Sequence, residues 1–167
     1  MRLVVCDTSP LIFLSVAKQL RLLTLLFDEV WVPEAVLTEI EEGIKVGYPA
    51  VEFAQQLPDY QVMPDATPLP AWLARDLGVG ELAVMSIARD VEDQRVRGEI
   101  VALLDDQLAR RVAASAGLTV WGTLRVILEG KKAGHLSEVQ PTLEKMRDAG
   151  MHLAPKLIAR VLALAGE

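Results

Sequence analysis

Residues 100–122 read IVALLDDQLARRVAASAGLTVWG, and the fold is decided there. Ile100 to Leu104 is an unbroken apolar run of the kind found in strands buried on both faces. Two carboxylates, Asp105 and Asp106, stop it. Asp106 to Ala116 then carries a helical pattern that Gly117 ends, and Leu118 to Trp121 is another short apolar run. Strand, helix and strand in succession predict a parallel sheet covered by helices on both faces.

The alternation extends in both directions. Leu3-Val4-Val5-Cys6 is a buried-strand run that stops at Asp7-Thr8-Ser9-Pro10, where Ser9 suits a helix cap and Pro10 a first helical position. Leu11 to Leu26 reads as one or two helices with a break near Lys18-Gln19. Val30 to Val32 is a strand ended by Pro33, and Glu34 to Glu42 a helix with Gly43 as its stop. A helix is expected over Ala50 to Leu57. Residues 58–70 hold four of the nine prolines and read as a loop with a short strand around Tyr60 to Met63. Helices follow over Ala71 to Leu77 and Gly80 to Val91, then a polar surface loop over Glu92 to Glu99. Leu124 to Ala133, Ser137 to Ala149 and Leu157 to Ala165 complete the chain. The expected architecture is α/β, with a central, mainly parallel sheet of about five strands. One domain over 1–167 is expected, with 137–167 as a helical C-terminal extension.

Composition narrows the function. The chain has 167 residues, 51% hydrophobic and 24% charged, and a domain of this size buries roughly 70% of its unfolded surface. Disulfides and structural metals are therefore not needed for folding. With 17 Lys plus Arg against 23 Asp plus Glu the net charge is −6, which excludes holding nucleic acid by bulk positive charge. Cys6 is the one cysteine, so an intramolecular disulfide and a multi-cysteine zinc site are excluded, and without a nearby histidine it reads as a small buried residue. His135 and His152 are too few for a histidine-rich centre, and no chemistry is assigned to His135. Asp7 and Pro10 interrupt the first apolar run, against a signal peptide. No stretch approaches the ~20 apolar residues of a membrane span, and a soluble cytoplasmic protein is expected. A mean hydropathy of +0.29 and the leucine-rich run Leu20 to Phe27 predict a self-association surface.

Chemistry is sought beyond the carboxyl ends of the strands. Asp7 ends the first strand, and Asp105-Asp106 end the strand from Ile100. Each Asp could be a helix cap, but two buried strands both ending in Asp favour a shared site. Glu39, in VPEAVLTEI, and Glu81, opening the helix in GVGELAVMSIA, matter only in combination with these. Glu41 and Glu42 read as solvated. Thr8 and Ser9 suit either helix capping or the site and a phosphate. Arg110 and Arg111 lie one turn past Asp106, within reach of RNA phosphates or of surface acids. Lys131-Lys132 read as a solvated helix end, and Trp31 and Trp121 as core or near-core.

The combination VVCDTSPLI, VWVPEAVLTEI, GVGELAVMSIA and VALLDDQLARRVAASAGLTVWG, in this order, resembles the PIN-domain nucleases of the VapC-like toxin type over nearly the whole chain. The resemblance implies a PIN-like α/β/α sandwich with Asp7, Glu39, Glu81 and Asp106 as catalytic acids. It places Asp7, Glu81, Asp105 and Asp106 as candidate ligands; Thr8, Ser9, Arg110 and Arg111, by their positions beside these acids, are weaker candidates for substrate contacts. Glu81 stands where many relatives have Asp. Leu104-Asp105-Asp106 lacks the Thr of the common Thr-x-Asp, which favours Asp106 and leaves Asp105 open. The GE and LLDDQLAR forms mark a distinct branch.

Physical chemistry agrees with that reading. Crowded carboxylates repel unless a cation neutralises them, and an all-oxygen set selects Mg²⁺ or Mn²⁺ over zinc. Such ions activate water and stabilise phosphoryl displacement, and they admit an RNA backbone to an acidic protein. A metal-dependent endoribonuclease is expected, the toxin of a toxin–antitoxin pair, with a small antitoxin partner and a homodimeric state. Two alternatives stand beside it. A non-catalytic PIN-like binding module fits the changes at 81 and 104. An Asp7-based phosphatase or phosphoacceptor fits less well. A phosphatase of that sort carries a second Asp at the position of Ser9. A receiver carries an acidic pair after the first strand and a Lys after the last, where Gly122-Thr123 stand.

Overall fold

The computed structural model describes residues 1–47, 59–64, 76–93 and 98–167. The strands are β1 (Arg2–Cys6), β2 (Glu29–Pro33), β3 (Tyr60–Met63), β4 (Glu99–Leu103) and β5 (Thr119–Trp121). All pair in parallel, in the order β3-β2-β1-β4-β5. The expected parallel sheet is present, including its short third strand.

Leu3, Val4, Val5 and Cys6 are each at most 1% exposed, and Val101, Ala102 and Leu103 are 0% exposed. Successive strand residues point to opposite faces, so burial of consecutive residues means that helices cover both. This is the α/β sandwich expected from the apolar runs. The buried residues from Leu3 to Val161 join in one hydrophobic cluster. Truncating one of its leucines, Leu103→Ala for example, removes contacts worth about 2–5 kcal/mol.

The helices among the described residues are α1 (Thr8–Val16), α2 (Arg21–Leu26), α3 (Glu34–Lys45), α4 (Val79–Asp93), α5 (Gln107–Ser115), α6 (Thr123–Lys132), α7 (Gln140–Asp148) and α8 (Pro155–Ala165). The break between α1 and α2 falls where the sequence placed it, with Lys18 in the left-handed region at φ 57°. Leu20, Leu22, Leu23 and Phe27 are buried and Leu25 is 40% exposed. Most of that leucine-rich run therefore fills the layer against the sheet. Helix α4 packs on α3 and over β1, β2 and β4. Helices α1 and α2 meet α6, and α6 meets α8.

Several boundaries differ from the sequence reading. Helix α1 starts at Thr8, so Pro10 is its third residue and Asp7, not Ser9, holds the cap position. Helix α3 runs through Gly43, which is buried, and the positive φ falls at Gly47 (98°). A glycine packed inside a helix can be tolerated for about 1 kcal/mol. Helix α4 reaches Asp93, into the stretch expected as a loop. The helix expected over Ala50 to Leu57 lies outside the described residues, as does most of that over Ala71 to Leu77. Asp76 and Leu77 themselves are not helical. Lys132 is exposed as expected, but Lys131 is half-buried and paired: its Nζ lies 3.0 Å from Glu167 Oε1, while the Glu167 carboxylate accepts from the Val139 and Gln140 N–H groups that open α7. Val139, Leu143 and Met146 are core residues, so α7 packs into the cluster. Among the described residues no helix is long and apolar enough to cross a membrane.

The topology locates the site. The chain moves from β1 outward through β2 and β3, then returns to the other side of β1 as β4 and β5. The order reverses between β1 and β4, and such a switch point opens a crevice at the carboxyl edge of the sheet. Cys6 lies opposite Leu103 in register, and the Asp7 N–H donates to Leu103 O at 3.1 Å. Asp7 and Asp105-Asp106 therefore leave the sheet side by side.

Candidate active site

Asp7 holds the cap position of α1 in an extended conformation, yet its side chain makes no capping hydrogen bond. The residue is 5% exposed. Burial pushes its carboxyl up to about 7, the Thr8 backbone N–H opposes part of this, and the charges of Glu81, Glu39 and Asp105 add to the rise. Capping does not account for this carboxylate, which sits buried among other acids.

Glu39 is on α3, beside the buried stripe of Val36, Ile40 and Gly43. Its carboxylate is held from two sides: the Thr8 hydroxyl donates to Oε2 at 2.5 Å and the Gly80 N–H to Oε1 at 2.8 Å. Thr8 thus orients an acid; it does not cap its own helix. A Cβ on residue 80 would lie 2.6 Å from Glu39 Oε2, so only glycine admits this approach.

Glu81 is the third residue of α4, and its Oε2 accepts from the Gly78 N–H at 2.8 Å. This is the carboxylate half of a capping box, in which the third helical residue reaches back to the cap N–H. That reach takes up the length of the Glu81 side chain. Burial raises its carboxyl above the usual range, the Gly78 N–H offsets part, and Asp106 and Glu39 push it further up.

The two acids after β4 have different surroundings. Asp106 is exposed and caps α5, its Oδ1 accepting from the Ala109 N–H at 2.8 Å. Asp105 is half-buried and bound to the start of α6, with Oδ1 accepting from the Thr123 N–H at 2.8 Å and Oδ2 from the Thr123 hydroxyl at 2.6 Å. Burial raises the Asp105 carboxyl, against these two bonds and the nearby Arg110 guanidinium. Arg110 and Arg111 are both exposed.

Asp7, Thr8, Ser9, Glu39 and Glu81 line one cleft of 580 Å³, with Glu42, Gly43, Val46 and Gly78 around them. Asp105 and Asp106 do not line it. Their charges nevertheless reach it, Asp105 acting on Asp7 and Asp106 on Glu81. Arg111 lines neither this cleft nor the cavity beside Asp105. Among the described residues, no three acidic, histidine or cysteine side chains stand in ready-made metal-ligand geometry. Cys6 is buried, which raises its thiol far above the usual range, as expected of a core residue.

The PIN-domain family model matches residues 3–167. The chain belongs to the PIN-domain family. No curated protein matches it. The PIN domain is a nuclease-type fold, and here Asp7, Glu39 and Glu81 line one cleft. Of the residues that hold the candidate acids, the sequence singled out Thr8 but not Gly78, Gly80 or Thr123. Gly80 is visible in hindsight as the second glycine of Gly78-Val79-Gly80-Glu81. Thr123, two residues beyond β5, carries no local signal, because its role depends on β4 and β5 being neighbours.

Proposed function

We propose that this PIN domain is a Mg²⁺- or Mn²⁺-dependent endoribonuclease that hydrolyses RNA phosphodiester bonds, acting as the toxin of a toxin–antitoxin pair. The observation that carries this reading is the placement of Asp7, Glu39 and Glu81 in one cleft at the β1/β4 switch point, with Asp7 pushed up to about 7. Buried carboxylates that repel one another are the donor set a hard divalent cation neutralises. The all-carboxylate donor chemistry suits such an ion: Asp7 and Glu81 of the cleft, with Asp105 or Asp106 from the end of β4, would hold it. Bound there, it would supply an acidified water and charge stabilisation for in-line displacement at phosphorus.

The chain's own groups prepare that chemistry. Thr8 and the Gly80 N–H fix the Glu39 carboxylate, which stands ready to orient a water or take its proton. The Gly78 N–H steadies Glu81 through one oxygen and leaves the other for the cleft. Ser9 lies in the same wall, placed for a phosphate oxygen. A small antitoxin and a homodimer belong to this reading. Exposed Ile44, Val46 and Val79, on the adjoining ends of α3 and α4, offer an apolar surface at the cleft. Light scattering that gives 18.3 kDa at every dilution would remove the dimer.

Cleavage of single-stranded RNA by purified protein, with and without Mn²⁺, tests the activity. Loss on adding chelator and recovery with Mn²⁺ are expected; cleavage indifferent to both would sink the proposal. A second reading, a non-catalytic RNA- or protein-binding module, is favoured by the absence of ready-made metal geometry among the described residues. Mn²⁺ titration separates the two, since a degenerate module binds the ion weakly.

A further inference from the structure

Asp105, whose charge reaches Asp7, also lines a second cavity of 430 Å³ that shares no residue with the carboxylate cleft. Three arginines from three helices meet around it: Arg110 of α5, Arg125 of α6 and Arg160 of α8. The chain as a whole carries −6, so this is a marked local concentration of positive charge. Among the described residues no ion pair engages any of the three. Arg125 lies with its guanidinium 4.4 Å over the Trp121 ring, a cation–π contact that restrains it without satisfying its N–H donors. Apart from Asp105 and His152 the rest of the wall is mostly apolar and includes Leu124, Leu128 and Leu157.

Guanidinium forks match phosphate oxygens in geometry and charge, and apolar walls accept the face of a base. A cavity offering both suits a nucleotide better than either a free anion or a purely apolar ligand. Its contact with Asp105 puts it next to the carboxylates, where the scissile phosphodiester would lie. We propose that this cavity is a nucleotide subsite, taking the phosphate and base of the RNA residue that flanks the bond at the carboxylates. The proposal rests on the nuclease reading for the identity of its ligand.

Binding can be measured apart from cleavage. Adenosine 5′-monophosphate, adenosine and inorganic phosphate are titrated into the full chain in chelator, by calorimetry. The monophosphate is expected to bind about tenfold more tightly than either fragment. Arg125→Gln/Arg160→Gln is expected to weaken it by about tenfold or more, since one charge-assisted hydrogen bond is worth that much. Should the double variant fail to fold by circular dichroism, exposed Arg160→Gln alone must weaken binding measurably. No saturable binding of the monophosphate overturns the proposal. So does binding unchanged in the folded arginine variants, or capture of a glutamate-rich peptide in its place. A failed nuclease reading gives a different pattern: monophosphate binding survives, but no RNA is cut with Mn²⁺.

Discussion

Gly80 lies against the carboxylate of Glu39, donating its N–H to Oε1 at 2.8 Å, and a Cβ there would come within 2.6 Å of Oε2. The contact joins the N-terminus of α4 to α3, and with Thr8 it fixes Glu39 from both sides. Gly80→Ala therefore has opposed consequences. Alanine favours the helix by about 1 kcal/mol, while its methyl displaces the carboxylate and breaks one charge-assisted bond of about 1.5–3 kcal/mol. The melting temperature is expected to change by only a few degrees, whereas RNA cleavage falls by about tenfold or more, as a 1.4 kcal/mol loss implies. Paired melting and cleavage assays read both; full activity in a folded variant would show that the position of Glu39 is irrelevant.

Asp7→Asn separates chemistry from stability in the other direction. The amide keeps the shape and removes a charge that is buried and repelled by Glu81, Glu39 and Asp105. Metal-dependent cleavage is expected to drop by at least about a hundredfold, given the several kcal/mol a metal centre supplies. Metal-free protein at pH 8 is expected to melt higher, by roughly 2–4 °C per kcal/mol of relieved repulsion. A lower melting temperature would mean that the Asp7 charge is compensated inside the fold.

How much of this was legible in the sequence depended on whether the information was local. The buried runs Leu3 to Cys6 and Ile100 to Leu104 announced their strands because both faces are covered and no polar residue intrudes. The sequence also placed acids at the ends of both. It could not distinguish the carboxylates from one another. Asp7, Asp105 and Asp106 all follow strands, yet Asp106 caps its helix, Asp105 is bound to Thr123, and Asp7 caps nothing. Those differences come from which strand lies next to which, and spacing along the chain does not encode that. The same applies to Arg125 and Arg160, 35 positions apart in the sequence and brought to one cavity by the packing of α8 on α6.

The shift at Asp7 fixes the sign of the pH dependence. Its folded carboxyl is raised from 3.8 to about 7, so the metal-free fold prefers the protonated form. The contribution of Asp7 to stability is thus intact below pH 3.8 and declines as pH climbs through about 7. A cation binding the ionised form must displace that proton. Apparent Mn²⁺ affinity is expected to rise with pH up to about 7 and to level off above, with a proton released per ion taken up below it. Calorimetry in buffers of different ionisation enthalpy counts the proton. Affinity flat across this range would remove Asp7 from the ligand set.

Asp106 and Asp105 can be told apart by what each substitution spares. Asn is as good a helix cap as Asp, so Asp106→Asn keeps the bond from Ala109 N–H and loses only the charge, whereas Asp106→Ala loses the cap as well, at ~1 kcal/mol. If Asp106 helps to hold the ion, both variants lose cleavage alike although only Ala lowers the melting temperature. If its role is capping alone, Asn is fully active and Ala remains active below its melting transition. Asp105→Asn is the complementary case: one amide oxygen can still accept from the Thr123 N–H, and the amide NH₂ can donate to the Thr123 hydroxyl in place of the bond it now receives. It is therefore expected to fold, and its Mn²⁺ affinity compared with that of Asp106→Asn identifies the principal ligand as the acid whose loss weakens binding more. Equal, undiminished affinity in both would exclude the β4 end from the metal centre and leave Asp7, Glu39 and Glu81 to hold the ion alone.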